Sequence, residues 1–197
     1  MLRPNRFAML ALALAATLAI AACGGDDGSE DEDQITESIE AAAVSGEPAA
    51  CTENQTQRFT EQTTGETGEA AVTACEEDAA DSVAESIEVS NIEVDGDAAT
   101  AEGEVTGSFF DGQTIDIALV KEGDQWKLDE LRGFVDFDRA AYLANIEEEV
   151  SSDEETPQQA VDCVTGNLEG LDDQQLQDLF INPDQQAEEQ VFGSCFQ

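Results

Sequence analysis

Between Ile87 and Leu131 the chain alternates apolar and polar residues in four runs, and every break between them carries glycine and aspartate. Ile87, Val89, Ile92 and Val94 make a β-branched run that stops at Asp95-Gly96-Asp97. Ala99, Ala101, Gly103 and Val105 share one face of the next run, which ends near Phe109 and is followed by Asp111-Gly112. Thr114 to Val120 and Gln125 to Leu131 flank a third turn, Glu122-Gly123-Asp124. A side-chain period of two is the strand period, and such short turns join only antiparallel neighbours, because parallel ones need a crossover of about a dozen residues. The segment is therefore expected to be a four-stranded antiparallel meander, with one face covered by other elements.

Helical spacing lies on both sides of it. Ile35, Ile39, Ala42 and Ala43 share one face of a helix starting near Gln34, and Gly46 closes it. Pro48 suits the first turn of a second helix that runs to Phe59 and carries Cys51. The stretch TEQTTGETG, Thr60 to Gly68, reads as a connector, and a third helix over Glu69 to Ala84 carries Cys75. A trailing helix over Asp138 to Val150 completes an α+β domain of residues 34–150. Residues 151–197 read as a small helical domain. Thr156-Pro157 opens its first helix, Asp172 and Gln175 form a capping-box pair for the next, and Asn182-Pro183 with Gln185 repeats the device.

Charge and composition exclude several functions. The chain has 46 Asp and Glu against 7 Lys and Arg, a net charge of −39, so it lacks the cations that displace counterions from nucleic acid or grip anionic head groups. It has no histidine, which removes Ser-His-Asp and Cys-His nucleophiles and His-ligated metal sites.

The N-terminus carries an address. Arg3 and Arg6 precede sixteen apolar residues, Phe7 to Ala22, fewer than the roughly 20 a permanent membrane span needs and in proportion for a secretory signal. The run ends Ile20-Ala21-Ala22-Cys23, which resembles a bacterial lipobox. That resemblance implies a lipoprotein signal peptide, residues 1–22, removed before Cys23. It further implies a covalent diacylglycerol on the Cys23 sulfur and acylation of the new amino terminus, for instance by palmitate. A plain secretory signal with a chance cysteine and an uncleaved signal anchor are the alternatives. Each buried CH₂ contributes about 0.8 kcal/mol, so two or three acyl chains hold where one does not. The expected location is outside the cytoplasm, on the outer face of the cell membrane. Residues 23–33, with GGDDGSEDED after the cysteine, read as an anchor and flexible acidic stalk.

Export also frames the other cysteines. Cys51, Cys75, Cys163 and Cys195 are an even number, and in an oxidising compartment they are expected to pair. Four cysteines allow three pairings, of which Cys51–Cys75 with Cys163–Cys195 fits the segmentation above. A metal site is the rival, but the spacing holds no CxxC.

The order of helices, with a disulfide between the second and third, a strand pair written IEVDGDAATAEGEV and then LVKEGDQWKLDEL, resembles the NTF2-like lipoproteins of actinobacteria. The likeness covers roughly residues 34–133. It implies a curved sheet wrapping the helices into a cone, often with a pocket, in a family most of whose members have no assigned activity. The short extra strand that many members carry between helices is not evident in this sequence.

No constellation of catalytic residues stands out. Among so many carboxylates an acid–base pair cannot be singled out, and a steroid-isomerase-like Asp with a tyrosine oxyanion hole meets a chain whose single tyrosine, Tyr142, falls beyond the sheet. Glu93, Asp95, Asp97 and Glu104 have EF-hand offsets, yet Ala98 stands where that loop needs glycine, and a hairpin edge fits better. Trp126 is a pocket candidate or core, Phe109-Phe110 and Phe134 with Phe137 a docking patch or core. Asn54-Gln55-Thr56 fits a glycosylation sequon, of little weight beside a bacterial lipobox. The expected function is non-catalytic, with neither metal nor cofactor: binding of a small apolar ligand or an envelope protein. A structural spacer or assembly subunit is the alternative, and an isomerase or lyase using a pocket carboxylate a further one.

Overall fold

A computed structural model describes residues 27–80, 83–152, 156–182, 187 and 189–196. Residues 1–22, Cys23, and Pro183 with Gln185 of the last expected cap lie outside them. Four helices come first: α1 (Asp27–Val44), α2 (Ala50–Glu53), α3 (Gln57–Thr64) and α4 (Glu69–Asp78). The meander follows as β1 (Ser86–Asp95), β2 (Ala98–Thr106), β3 (Thr114–Glu122) and β4 (Gln125–Phe134), and then α5 (Arg139–Ser152), α6 (Gln158–Glu169), α7 (Asp173–Ile181) and a π-helical turn, Glu189–Gly193. The class is α+β, with helices packed on one antiparallel sheet of order β1-β2-β3-β4.

Alternation sets the inner face: Ala99, Ala101 and Val105 of β2, and Ile115, Ile117 and Leu119 of β3, are buried. On β4 the spacing changes. Trp126 and Leu128 are two apart and Leu131 three further on, yet all three are buried. A register shift between Ala118 and Leu119 accommodates the extra residue, pairing Leu128 with Leu119 and Leu131 with Ile117. Gly103 leaves room for Ile87: a Cβ there would lie 2.6 Å from the Ile87 Cδ1, so that side chain would have to shift.

Helix α1 begins earlier than expected. Residues 27–33, read as part of a flexible stalk, belong to it from Asp27 onward. Acidic residues at a helix N-terminus are favoured by the backbone dipole, and Asp31 is further drawn onto the sheet by Lys121. Ile35 and Ile39 are fully buried below it, and Gly46, at φ +61°, turns the chain away.

The expected second helix is two. Between α2 and α3, the Thr56 N–H donates to Leu128 O at 2.9 Å and the Leu128 N–H to Asn54 O at 2.8 Å, so Gln55 forms a parallel bridge with β4. Edge strands leave backbone groups unpaired, and this bridge covers one stretch of that edge. Gln62 covers the next: its Nε2 donates to Leu131 O at 2.7 Å and its Oε1 accepts from Leu131 N at 2.9 Å. The sequon residues are thus sheet-edge backbone, with Thr56 buried and capping α3.

Two hydrophobic clusters result. The first lies between the sheet, α1 and α3, and includes Ile181 from the end of α7. The second gathers Tyr142, Ile146, Val164, Leu168, Leu176 and Val191. Phe110 and Phe134 pack against both, which joins residues 151–197 to the main body. The capping box forms as expected: Asp172 Oδ1 accepts from Gln175 N at 2.9 Å and Gln175 Oε1 from Asp172 N at 3.0 Å. Disulfides Cys51–Cys75 and Cys163–Cys195 close at 2.00 and 2.01 Å. Both clusters and both disulfides fall within residues 35–195, so the chain after residue 23 carries its own core.

Candidate functional site

A cavity of about 380 Å³ lies between the helices and the inner face of the sheet. Its sheet side is Ile87, Val105, Ile115, Ile117, Leu128 and Leu131. Its helix side is made of small residues: Ala42 and Ala43 from α1, Ala50 from α2 and Ala74 from α4, with Ala84 from the link to β1. Protein interiors ordinarily hold few voids larger than a water molecule. The methyl groups opposite a leucine- and isoleucine-lined sheet leave space that longer side chains would fill. Its size falls in the range of small-molecule pockets, about 300–1,000 Å³.

The Cys51–Cys75 disulfide forms part of the wall and fixes α2 to α4 there. Phe59 adds an aromatic surface, and Gln55, Thr63, Thr64 and Ser108 contribute polar groups. The Thr63 hydroxyl donates to Phe59 O at 3.0 Å and the Thr64 hydroxyl to Thr60 O at 2.7 Å, back into their own helix. Glu47 and Asp78 are the carboxylates that line the cavity, and both are exposed, which places them at its mouth.

Trp126 is not one of the lining residues. It is 1% exposed, and its Nε1 donates to Asp31 Oδ1 at 2.8 Å. Lys121 Nζ donates to the same oxygen at 2.6 Å and lies 5.4 Å from the indole centroid. The Lys121 ammonium, then the Trp126 indole, hold the Asp31 carboxyl below the usual carboxylate range. Of the two readings of Trp126, pocket or core, the structure has core: the buried indole, with its donor satisfied, joins Asp31 and Lys121 in a polar lock at one end of the sheet.

The other candidates also find their places. Phe109, Phe110, Phe134, Phe137 and Tyr142 form one aromatic seam with centroids 4.1 to 6.1 Å apart; the four phenylalanines are half-buried against the core, and Phe109 and Phe110 also line the cavity. Tyr142 is fully buried in that seam, behind Phe110 and not itself lining the cavity, and burial pushes its phenol well above its ordinary pKa. Glu93 pairs across the sheet with Thr100, whereas Glu104 pairs with Glu88, five residues away along β1. Along β2 the offset from Thr100 to Glu104 is four residues, about 13 Å, which prevents a single cation from touching both. Among the described residues, no group of three or more His, Cys, Asp or Glu is arranged to hold a metal ion, and no helix is long and apolar enough to cross a membrane.

No family model, curated protein or solved structure matches the chain. The two disulfides fit an extracytoplasmic location.

The role of Asp31 and the lining of the cavity were not legible in the sequence. Asp31 is one acid among many, and only its tertiary partners distinguish it. The resemblance implies a pocket, but not its lining; the alanines in place of larger residues on the sheet-facing sides of the helices are the signal for that.

Proposed function

We propose that this is a lipid-anchored extracytoplasmic protein, non-catalytic, that holds a small and mostly apolar ligand between its helices and its sheet. The observation that supports this reading is the cavity of about 380 Å³ with its apolar lining and polar mouth. The lipobox-like Ile20-Ala21-Ala22-Cys23 supports the anchor, and the disulfides support the compartment. The resemblance to NTF2-like lipoproteins agrees with a pocket between helices and sheet.

The decisive experiment is native mass spectrometry of residues 24–197, purified oxidised from the host. An added mass lost on denaturation supports the reading and identifies the ligand. A bare protein that also fails to take up apolar probes overturns it in favour of a spacer or a protein-binding module. Ala42→Leu, which adds volume at the cavity wall, is expected to abolish uptake while leaving the melting temperature equal or higher. Cys23→Ala in the full chain is expected to release the protein from the membrane fraction, and its retention there would remove the anchor.

A further inference from the structure

We infer that the cavity admits uncharged or cationic apolar molecules and rejects anionic ones of the same size. This rests on the binding reading above and adds the charge class of the ligand.

Three kinds of group can receive an anion in a protein: a cationic side chain, a directed hydroxyl or amide donor, and a free helix N-terminus. No Lys, Arg or His lines the cavity. Every basic residue among the described ones is already ion-paired elsewhere. Arg58 holds Asp129 and Glu130 at 2.8 and 2.6 Å, Lys121 holds Asp31 at 2.6 Å, and Lys127 holds Glu122 at 3.3 Å. Arg139 holds Asp173 at 3.0 Å and Arg132 meets Asp116 at 3.7 Å.

The threonine hydroxyls on the wall spend their protons on helix carbonyls. The N-terminus of α4 does not reach the cavity wall, and at that of α2, which does, the Ala50 and Cys51 N–H groups donate to Glu47 O and Pro48 O at 2.9 and 3.2 Å. That of α3 is capped by Thr56. Gln55 and Ser108 are the neutral donors that remain on the wall, and with no cation beside them they suit a hydroxyl, ether or carbonyl better than a full negative charge.

At the mouth the charge is negative. An entering anion meets Glu47 and Asp78 on a chain of net charge −39, then apolar walls where an unpaired charge is costly. A cationic head group stops at the mouth beside two carboxylates while its apolar tail enters.

The test is displacement of N-phenyl-1-naphthylamine, an uncharged probe that fluoresces in apolar surroundings, from residues 24–197. The competitors are decanol, decylammonium and decanoate, which share one chain length and differ in head-group charge. Decanol and decylammonium are expected to displace the probe, with decanoate weaker than decylammonium by about tenfold or more at low salt, and the gap is expected to narrow in about 1 M NaCl. Glu47→Gln with Asp78→Asn, both exposed and so neutral for folding, should narrow the same gap. Decanoate competing as well as decylammonium overturns the charge selectivity and leaves the binding reading standing. A gap that the double variant does not change overturns its assignment to these two residues. A probe that does not bind overturns the binding reading itself, and a bound probe that none of the three displaces overturns the charge selectivity.

Discussion

Trp126 and Asp31 meet across ninety-five residues of sequence: the buried indole N–H donates to the carboxylate at 2.8 Å, tying the first helix to the last strand of the sheet. Lys121 shares the same oxygen. Asp31 has a folded-state pKa below its ordinary value, so its stabilising effect is present above about pH 4 and is lost as pH falls through the folded value. Asp31→Asn keeps an acceptor for the indole and removes the charge. Its urea midpoint is expected below that of the parent at pH 7, with the difference closing below about pH 4. A difference that does not change with pH would show that the charge is not what matters.

Salt is expected to raise the melting temperature. The 46 acidic residues face few cations, and the basic residues that the structure describes are already paired, so most of the negative surface repels itself. Raising NaCl from millimolar to about 1 M shortens the screening length to about 3 Å and relieves that repulsion. It also weakens pairs such as Asp31–Lys121, which are few beside the unpaired acids. A flat or falling melting temperature in calorimetry would contradict this.

The two disulfides are expected to separate stability from binding. Each closes a loop, with sequence separations of 24 and 32, and loop-closure entropy assigns each about 3.5 kcal/mol. Cys163→Ser with Cys195→Ser should lower stability and leave probe affinity unchanged. Cys51→Ser with Cys75→Ser should lower both, because that bridge is part of the cavity wall. Equal probe affinity in the two variants would exclude a role for α4 in shaping the cavity.

Tyr142, the single tyrosine, reports on the aromatic seam directly. Its pKa is raised by burial, so the folded state keeps the proton that the unfolded chain releases near pH 10, and stability is expected to fall as pH rises past that value. In an alkaline titration the phenolate absorbance should appear together with the loss of circular dichroism. Phenolate absorbance growing at about pH 10 in a folded protein would mean that the seam opens.

What the sequence made legible was the part fixed by local physics. Strand alternation and Gly/Asp turns gave the meander, and Asp172 with Gln175 gave a helix start to the residue, because each signal sits within a few positions of its effect. The break after Glu53 was missed because its cause is Leu128, on the far strand, and nothing local in Asn54-Gln55-Thr56 announces a sheet edge. Trp126 and the four phenylalanines were ambiguous for a related reason: an aromatic residue serves a core or a pocket equally well, and only its neighbours decide. The cavity is a volume between distant elements, and the alanines on its helix side acquire that meaning only once the sheet lies opposite.

The early start of α1 has a mechanical consequence. If Cys23 carries the proposed lipid, three residues, 24–26, would separate the anchor from the helix, a reach of about 14 Å at most. The helix itself spans 18 residues, about 27 Å, and the mouth of the cavity lies past its far end, at Glu47. A tether shorter than the rod it holds lets the body pivot about its near end but not tumble freely. On the proposed anchor, the end free to sweep through the surrounding fluid would be the one with the opening, so a ligand of the proposed kind would be exchanged with that fluid, and a molecule dissolved in the bilayer would have to leave it before capture.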